Sequence, residues 1–342
     1  MANTFNALFN RVAVTTGAVV AATSFAAPAA LAQDTLINIA GSSTVFPITS
    51  AMAEEFFTAE GIPVVVNSTG TGGGFSLFCS DNVAERTAIS NASRPIKDSE
   101  AEKCEGNEIG FIEIPVAYDA LTVVVDKENN VVTDLSIEQL ARLFDSAFED
   151  EATTWADLDP TWPAVAIDLA APGTDSGTFD YFVEAVLEDF EGVEVTVEET
   201  RATFTGTGES RQPALASEDD NALVNAVAGA PGDSDITHAL GYFGFSYFAA
   251  NEARLNAVSI EGVAPSRANV ENGTYTPFSR EIYIYVSTTA LERPEVQEFV
   301  QFYLDNLTTI VPEVDYVNLP QSLLDAGQTT LDEAIAALDE GE

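Results

Sequence analysis

The chain has 342 residues, of which 55 are acidic and 13 are basic, so its formal net charge at neutral pH is −42. Such a surface repels nucleic acid and anionic membranes, which argues against both as partners, although adaptation to a salty habitat explains the charge equally well. Because single cores stop growing at about 250–300 residues, the length favours two lobes.

The N-terminal residues have the pattern of an export signal. Met1–Arg11 carries one positive charge and no acid, and the small, apolar stretch Val12–Ala27 follows. Ala30-Leu31-Ala32 fits a signal-peptidase site, so we expect residues 1–32 to be removed and a periplasmic protein to begin at Gln33. No cysteine lies at the cleavage point, so a lipid anchor is not expected there.

Short β-rich segments alternate with helical ones along the first part of the chain. We predict strands at Leu36–Ala40, Val64–Asn67 and Thr87–Ser90, and helices at Thr44–Thr58, Phe75–Phe78 and Ser99–Cys104. This order is typical of a parallel sheet flanked by helices. Turns that follow the strands would lie at the carboxyl ends of the sheet, where open α/β sheets bind ligands.

Two long apolar segments are predicted to connect the lobes. Phe111–Val125 is extended and contains Pro115, and Glu281–Ser287 is the second such segment. We expect an α/β protein of two lobes, each a mostly parallel sheet flanked by helices, with a ligand cleft between the lobes. The expected division is 33–116 plus 284–342 for lobe I and 117–283 for lobe II, with crossings near 111–125 and 281–287.

The remaining segments continue the alternation. We predict helices at Leu135–Phe144, Thr178–Leu187, Ala222–Ala228, Glu295–Leu304 and Leu331–Leu338, a strand at Val165–Ala170, and a buried strand and turn at Ala239–Tyr247.

Cys79 and Cys104 are the only cysteines, and in an exported protein a pair this close in sequence predicts a disulfide. His238 is the only histidine and no further soft ligand lies near the cysteines, so we expect neither a metal nor another cofactor.

Three turns rich in glycine and hydroxyl groups each precede a predicted helix. They are Gly41-Ser42-Ser43-Thr44, Thr69-Gly70-Thr71-Gly72-Gly73-Gly74 and Gly173-Thr174-Asp175-Ser176-Gly177-Thr178. The free N–H groups and the dipole at a helix N-terminus favour an anion. One such turn is usually an ordinary helix cap, but three in one exported chain favour a protein that binds a small oxyanion.

One arginine is placed to assist these turns. Arg94 follows an apolar strand and precedes Pro95, which puts a guanidinium near a strand end, where it can bind an oxyanion through two hydrogen bonds. Alone, such a residue could equally be an ordinary surface arginine.

The motifs also occur in the order of a known family. Gly41–Pro47, Gly72–Phe75, Asn91–Ile96 and Pro172–Phe179 together resemble the periplasmic phosphate-binding proteins of ABC phosphate importers, the PstS family. The resemblance extends over essentially the whole mature chain. It implies a two-lobed binding protein that captures inorganic phosphate and delivers it to an inner-membrane ABC permease. We expect a monomer, since binding alone needs no second subunit, and we do not expect an enzyme. By position in the motifs, it implies phosphate contacts from Ser43, Thr44, Val45, Thr71, Gly72, Ser93, Arg94, Ser176, Gly177 and Thr178.

The chain departs from the family pattern at charged positions. Better-known members have an arginine at the position of Pro172 and an aspartate at that of Arg94. We therefore expect Arg94 to supply the positive charge, with Arg201 or Arg211 as further candidates. Asp175 is the candidate acceptor for the proton that phosphate carries and sulfate lacks. It could equally orient an arginine or cap the helix.

Two other functions are compatible with parts of the sequence. Donor-rich turns would also suit sulfate or molybdate. A secreted phosphatase could use Ser176 as its nucleophile, but His238 has no recognisable partner in the sequence and no G-x-S-x-G elbow occurs. The family motifs favour phosphate binding over both alternatives.

Overall fold

The computed structural model describes residues 36–144, 152–174, 176–188, 213–217, 219–229 and 238–339. The strands of this part are β1 Ile37–Gly41, β2 Val64–Ser68, β3 Ile89–Ala92, β4 Phe111–Asp126, β5 Asp134–Leu135, β6 Asp168–Pro172, β7 Leu215–Ser217, β8 Ala239–Gly244, β9 Leu255–Ala257, β10 Ser259–Ile260 and β11 Ser279–Ser287. Its α-helices are α1 Phe46–Glu60, α2 Gly70–Phe78, α3 Asp98–Gly106, α4 Ile137–Phe144, α5 Trp155–Leu158, α6 Gly177–Val183, α7 Asp220–Ala228, α8 Phe245–Ala250, α9 Arg267–Glu271, α10 Pro294–Glu313 and α11 Gln321–Asp339. A π-helical turn, Glu184–Glu188, continues α6, and a 3-10 turn, Ala290–Glu292, precedes α10. None of these helices is long and apolar enough to cross a membrane.

Nine of the described strands form one sheet in the order β2-β1-β3-β11-β4-β8-β6-β7, with β9 beside β4. The strands at the two ends form parallel groups, in which β1 lies between β2 and β3, and β6 lies between β7 and β8. Between the groups, β11 and β4 run antiparallel to each other and to their outer neighbours. The predicted α/β architecture with two lobes is therefore confirmed.

Strand β4 belongs to both lobes. Its first part pairs with β11 as far as Ala120, and its second part pairs with β8 from Leu121 onward. Every residue from Val116 to Asp126 is buried. A strand covered on both faces reads as a continuous apolar run, which explains the composition of this segment. We call Ala120 and Leu121, where β4 changes its partner strand, the hinge region.

Each group of strands has its own core. The lobe I core is formed by β1, β3, β11, α1 and α10, and includes Ile39, Met52, Ile284 and Phe299. The lobe II core is formed by β6, β8, α4 and α6, and includes Leu140, Leu169, Phe182 and Tyr242. The assignment of residue ranges to the two lobes at positions 116 and 284 stays a prediction.

The predicted disulfide is present. Cys79 and Cys104 are bonded, with their Cα atoms 4.5 Å apart, and both side chains are fully buried. The bond joins the end of α2 to α3 beside a small aromatic cluster of Phe75, Phe78 and Tyr285. It thereby fixes the helix that begins at the second glycine-rich turn.

Two predicted elements differ from the structure in type, and the last two helices are longer than predicted. The glycine-rich second turn is itself helical, because α2 begins at Gly70 and not at Phe75. The predicted strand and turn at Ala239–Tyr247 ends as a strand at Gly244 and continues as α8. Phe245 and Phe248 are both buried, and their spacing of three residues puts them on one face of a helix.

Candidate functional site

The first turn connects β1 to α1 and is fixed by hydrogen bonds to β3. Ser42 N donates to Asn91 O at 3.0 Å, and Thr44 N donates to Ser42 Oγ at 3.1 Å. Gly41 has a φ of 144°, and a Cβ at this position would lie 2.1 Å from Asn91 O. Only glycine permits this conformation and this close approach, so the sequence of the turn determines its path. Thr44 is buried, with 2% of its surface exposed.

The second turn meets the end of β3. Thr71 Oγ1 lies 3.0 Å from Ser93 Oγ and accepts a hydrogen bond from Ser93 N at 3.2 Å. The structure thus brings together two of the predicted donors that are 22 residues apart in sequence.

The third turn begins α6 and lies directly against the first turn. Ser176 Oγ caps the helix by accepting a hydrogen bond from Thr178 N at 3.1 Å. A Cβ on Gly177 would lie 2.8 Å from Thr44 Cα and 2.9 Å from Thr44 N, so a larger residue does not fit here. Predicted donors from the two lobes therefore meet at Thr44 and Gly177. Asp175, the predicted proton acceptor, lies outside the described residues.

A second contact joins the same two turns. Ser43 Oγ donates to Asp180 Oδ2, an α6 residue, at 3.0 Å. Because Ser43 precedes α1 in lobe I and Asp180 belongs to lobe II, this hydrogen bond joins the two lobes.

Arg94, the cation predicted from the sequence, is engaged by a carboxylate. Its Nη1 and Nη2 atoms donate to the two Glu100 carboxylate oxygens, each at 2.8 Å. Lys97 N also donates to Glu100 at 2.9 Å. Burial alone would raise the pKa of Glu100, but the hydrogen bonds from Arg94 and Lys97 outweigh it and lower this pKa. The charge of Arg94 is thus balanced within lobe I.

A different arginine, Arg280, lies where the lobes meet. Its Nη2 donates to Thr44 Oγ1 at 3.2 Å, and its Nη1 donates to Glu184 Oε2 at 2.8 Å. Its Nε donates to Asp119 Oδ2 at 3.3 Å, and its guanidinium lies 3.6 Å from the ring centre of Tyr181. The guanidinium therefore contacts the first turn, the third-turn helix and the crossing strand β4 together.

Sequence reasoning missed Arg280. Arg280 is the second residue of β11 and lies one position before the apolar segment that we predicted from Glu281 onward, in a chain with only 13 basic residues. The sequence feature that could have identified Arg280 is a single cation immediately before a predicted crossing strand.

Asp119 stands opposite Arg280 in the ladder between β4 and β11. Burial raises the pKa of the Asp119 carboxyl, and the Arg280 guanidinium opposes that rise without cancelling it. Burial lowers the pKa of Arg280, but Asp119, Tyr181 and Glu184 together raise it above its ordinary value. Arg280 is therefore a permanently charged group with 17% of its side chain exposed.

Most of the predicted donors line one of two separate cavities. A cavity of about 570 Å³ is lined by Thr71, Gly72, Ser93, Arg94 and Arg280, together with residues of α6 and β11. A cavity of about 390 Å³ is lined by Ser43, Asp119, Ser176, Gly177 and Thr178, together with residues near the ends of α10 and β8. Thr44 contacts one lining residue of each cavity, because its hydroxyl accepts from Arg280 and its backbone lies against Gly177. Val45 follows in the same turn, immediately before α1.

The geometry separates Ser176 from the only histidine. His238 precedes β8 and lies 3.2 Å from Asp168 at the start of β6, whereas Ser176 follows the end of β6. A strand of this length spans about 15 Å, so His238 cannot act as a base for Ser176 in this arrangement. Among the described residues, no group of three or more His, Cys, Asp or Glu side chains could hold a metal ion.

Comparisons with known proteins identify the family. The model of the PBP superfamily domain matches residues 21–306. Protein SphX of Synechococcus elongatus is 42% identical over 309 residues, which are 89% of this chain and 83% of that protein. The phosphate-binding protein PstS of Staphylococcus saprophyticus is 30% identical over 302 residues, which are 86% of this chain and 84% of that protein. The chain belongs to the PstS family.

Solved structures agree with this membership. A possible phosphate binding protein from Planctomyces limnophilus has a TM-score of 0.74 and 36% identity, over 88% of this chain and 98% of that one. An ABC-type phosphate transport receptor from Vibrio cholerae shares the fold, with a TM-score of 0.58 and 21% identity, over 83% of this chain and 100% of that one. In this chain the cleft guanidinium comes from β11, and Pro172 ends β6 before the third turn.

Proposed function

We propose that the protein captures inorganic phosphate in the periplasm and delivers it to an ABC-type phosphate importer. The observation that carries the proposal is the meeting of donor-rich turns from both lobes around Thr44 and the Arg280 guanidinium. Membership of the PstS family, and the names of the relatives, support phosphate as the anion.

Phosphate would be bound mostly by uncharged donors. The N-terminal N–H groups of α1 and α6 and the hydroxyls of Thr44, Thr71 and Ser93 offer hydrogen bonds at fixed positions, so little reorganisation is required on binding. Closure of the lobes removes water from these bonds and strengthens each of them. Ser176, Gly177 and Thr178 would complete the set from lobe II.

Arg280 is the better candidate for the charged donor. Its planar guanidinium suits a tetrahedral oxyanion, and its partners already hold it in place in both lobes. Arg94 lines the same cavity, but it is more exposed than Arg280 and is already bound to Glu100. We propose that Arg94 contributes secondarily, at the rim.

Discrimination against sulfate requires a group that accepts the phosphate proton. A buried carboxylate can accept it, but faces sulfate as an unpaired like charge. Asp175 keeps this role as a proposal from the sequence. Asp119 is a second candidate, because its buried carboxyl lines the same cavity as Ser176, Gly177 and Thr178.

The cellular setting follows from the N-terminus and the family. We propose that residues 1–32 direct export and are removed, and that the mature chain acts as a monomer that meets its permease at the inner membrane. Binding a small anion in a cleft needs no second subunit and no cofactor.

Calorimetry of the purified mature chain tests the function. Phosphate, arsenate, sulfate and molybdate are titrated separately, and each weaker ligand is then titrated in competition with phosphate. We expect saturable binding of phosphate at one site per chain, with sulfate and molybdate much weaker. Binding of sulfate or molybdate in preference to phosphate would assign the protein to another oxyanion, and no binding of any of the four would overturn the proposal.

A further inference from the structure

Every polar atom of Thr44 has a partner, and one of these partners lies far away in the sequence. Thr44 N donates to Ser42 Oγ and Thr44 Oγ1 accepts from Arg280. The carbonyl oxygen of Thr44 accepts a hydrogen bond of 2.6 Å from the hydroxyl of Tyr316, across 272 positions of sequence. No motif of the proposed site includes Tyr316.

Tyr316 belongs to a segment that passes from one core to the other. Ile310 and Val311, at the end of α10, pack in the lobe I core. Val317 and Leu319, a few residues later, pack in the lobe II core, and Leu331 of α11 returns to the lobe I core. Residues 314–320 are therefore a third connection between the cores, in addition to β4 and β11.

The backbone of this segment is attached to β4, two residues before the hinge region. Tyr118 N donates to Val317 O at 2.9 Å, and Val317 N donates to Tyr118 O at 3.1 Å. The residue after Tyr118 is Asp119, which binds Arg280. Two chains of contacts thus run from the middle of β4 to Thr44, one to its hydroxyl through Arg280 and one to its carbonyl through Tyr316.

The carbonyl contact also fixes a donor. In a trans peptide the C=O and the following N–H point in opposite directions, so a hydrogen bond that holds Thr44 O sets the direction of the Val45 N–H. Among the described residues, the Val45 N–H has no backbone or side-chain acceptor. It is one of the N-terminal N–H groups of α1 that the proposed function assigns to the anion.

We infer that Tyr316 is a positioning residue for anion binding, which holds the Thr44–Val45 peptide so that the Val45 N–H faces the bound oxyanion. The inference rests on the proposed function and adds to it a residue outside the three turns. Movement of residues 314–320 with the hinge region would then reorient this donor as the lobes open.

The variant Tyr316→Phe tests the inference, because it removes the hydroxyl and keeps the ring. Loss of one such hydrogen bond should raise the Kd for inorganic phosphate by about 3- to 10-fold. Calorimetry on the mature chain measures this change. Tyr303→Phe is the matched control, because it also removes a tyrosine hydroxyl that makes a hydrogen bond. That bond, of 3.0 Å to Thr49, lies in the lobe I core. We expect its Kd to stay within about twofold of the wild-type value.

A second measurement separates positioning from general loosening. In a ¹H–¹⁵N correlation spectrum, saturating phosphate should shift the Val45 amide resonance in the wild-type protein and in Tyr303→Phe, and shift it clearly less in Tyr316→Phe. An unchanged Kd and an unchanged Val45 shift in Tyr316→Phe would overturn the inference alone. Equal losses of affinity in Tyr316→Phe and Tyr303→Phe would also overturn it, because both would then reflect a general loosening of the fold. Absence of phosphate binding by the wild-type protein would overturn the proposed function and this inference with it.

Discussion

The two arginines that line the larger cavity of the cleft differ in what surrounds them. Arg94 is bound by Glu100, six residues away on the same lobe, and lies 5.9 Å from the ring centre of Phe75. Arg280 is bound by groups that are 96, 161 and 236 positions away and belong to three different elements. One guanidinium stabilises its own lobe, and the other connects the two.

This difference shows that a cation near a motif need not be the cation of the site. Arg94 satisfies its hydrogen bonds with a neighbouring carboxylate, so an anion at Arg94 would compete with Glu100. Arg280 has carboxylate partners as well, but it also reaches Thr44, where turns from the two lobes meet. We therefore expect substitutions around Arg280 to affect phosphate binding more than substitutions around Arg94.

The largest effect is expected from Arg280→Gln. A charged donor to a buried anion contributes about 1.5–3 kcal/mol, so the Kd for phosphate should rise about 10- to 150-fold in calorimetry. Urea unfolding should also show a loss of stability, because Asp119 stays buried without its partner, and breaking a buried pair costs about 3–5 kcal/mol. The double variant Arg280→Gln/Asp119→Asn should recover stability but not affinity. If Arg280→Gln binds phosphate with the wild-type Kd, Arg280 is not the cation of the site.

Next comes the disulfide on the Arg94 side of the cleft. Cys79 and Cys104 are separated by 25 positions, and closing a loop of that size contributes about 3 kcal/mol to the free energy of unfolding in the chain-entropy account. We expect Cys79→Ala/Cys104→Ala to lose about this much stability in urea while its affinity changes less than that of Arg280→Gln. A larger loss of affinity than of stability would mean that the Arg94 region determines binding.

A smaller effect is expected where the two turns touch. In Gly177→Ala the new Cβ would meet Thr44 backbone atoms, and overpacking of this kind costs about 1–3 kcal/mol. The lobes should close less completely, which small-angle scattering with saturating phosphate can detect, and affinity should fall. Gly106→Ala, at the end of α3, is the control, because nothing lies within 4 Å of its new Cβ. Full closure and full affinity in Gly177→Ala would show that the contact at Thr44 is not part of the site.

The smallest effect is expected from Arg94→Gln. Partly exposed ion pairs contribute about 0.2–1 kcal/mol, so we expect at most a few-fold change in the phosphate Kd and a small loss of stability. The pKa of Glu100 is lowered in the folded protein, so the ion pair stabilises the fold above the unfolded-state pKa of Glu100 and this contribution disappears as the pH falls through the lowered value. Urea unfolding of Arg94→Gln and wild type should therefore differ near neutral pH and converge in acid. A difference that grows in acid would contradict this assignment.

The local features of the cleft were readable from the sequence, and the long-range ones were not. Glycine and hydroxyl residues before Phe46 and Gly177 indicate helix N-termini. They do so because glycine conformation and side-chain caps determine the backbone only within a few residues. The Cys79–Cys104 bond was predictable because these are the only two cysteines of the chain. Arg280 and Tyr316 act on Thr44 through strand register and through a crossing of the chain, which no local pattern encodes.

Element boundaries show the same division. The extended segment from Phe111 was predicted to within one residue of its end, because the run is long and apolar and Pro115 within it disfavours a helix. α8 was missed, since Phe245 and Phe248 follow a buried strand without a break in hydrophobicity, and only their packing against the lobe II core distinguishes helix from strand.

A crystal structure of the mature protein with saturating phosphate tests the central claim most directly. The account predicts one tetrahedral density enclosed between the lobes, with oxygen atoms about 3 Å from the Arg280 guanidinium and from donors of the first and third turns. Density bound instead to Arg94 at the rim, or to one lobe only, would contradict it.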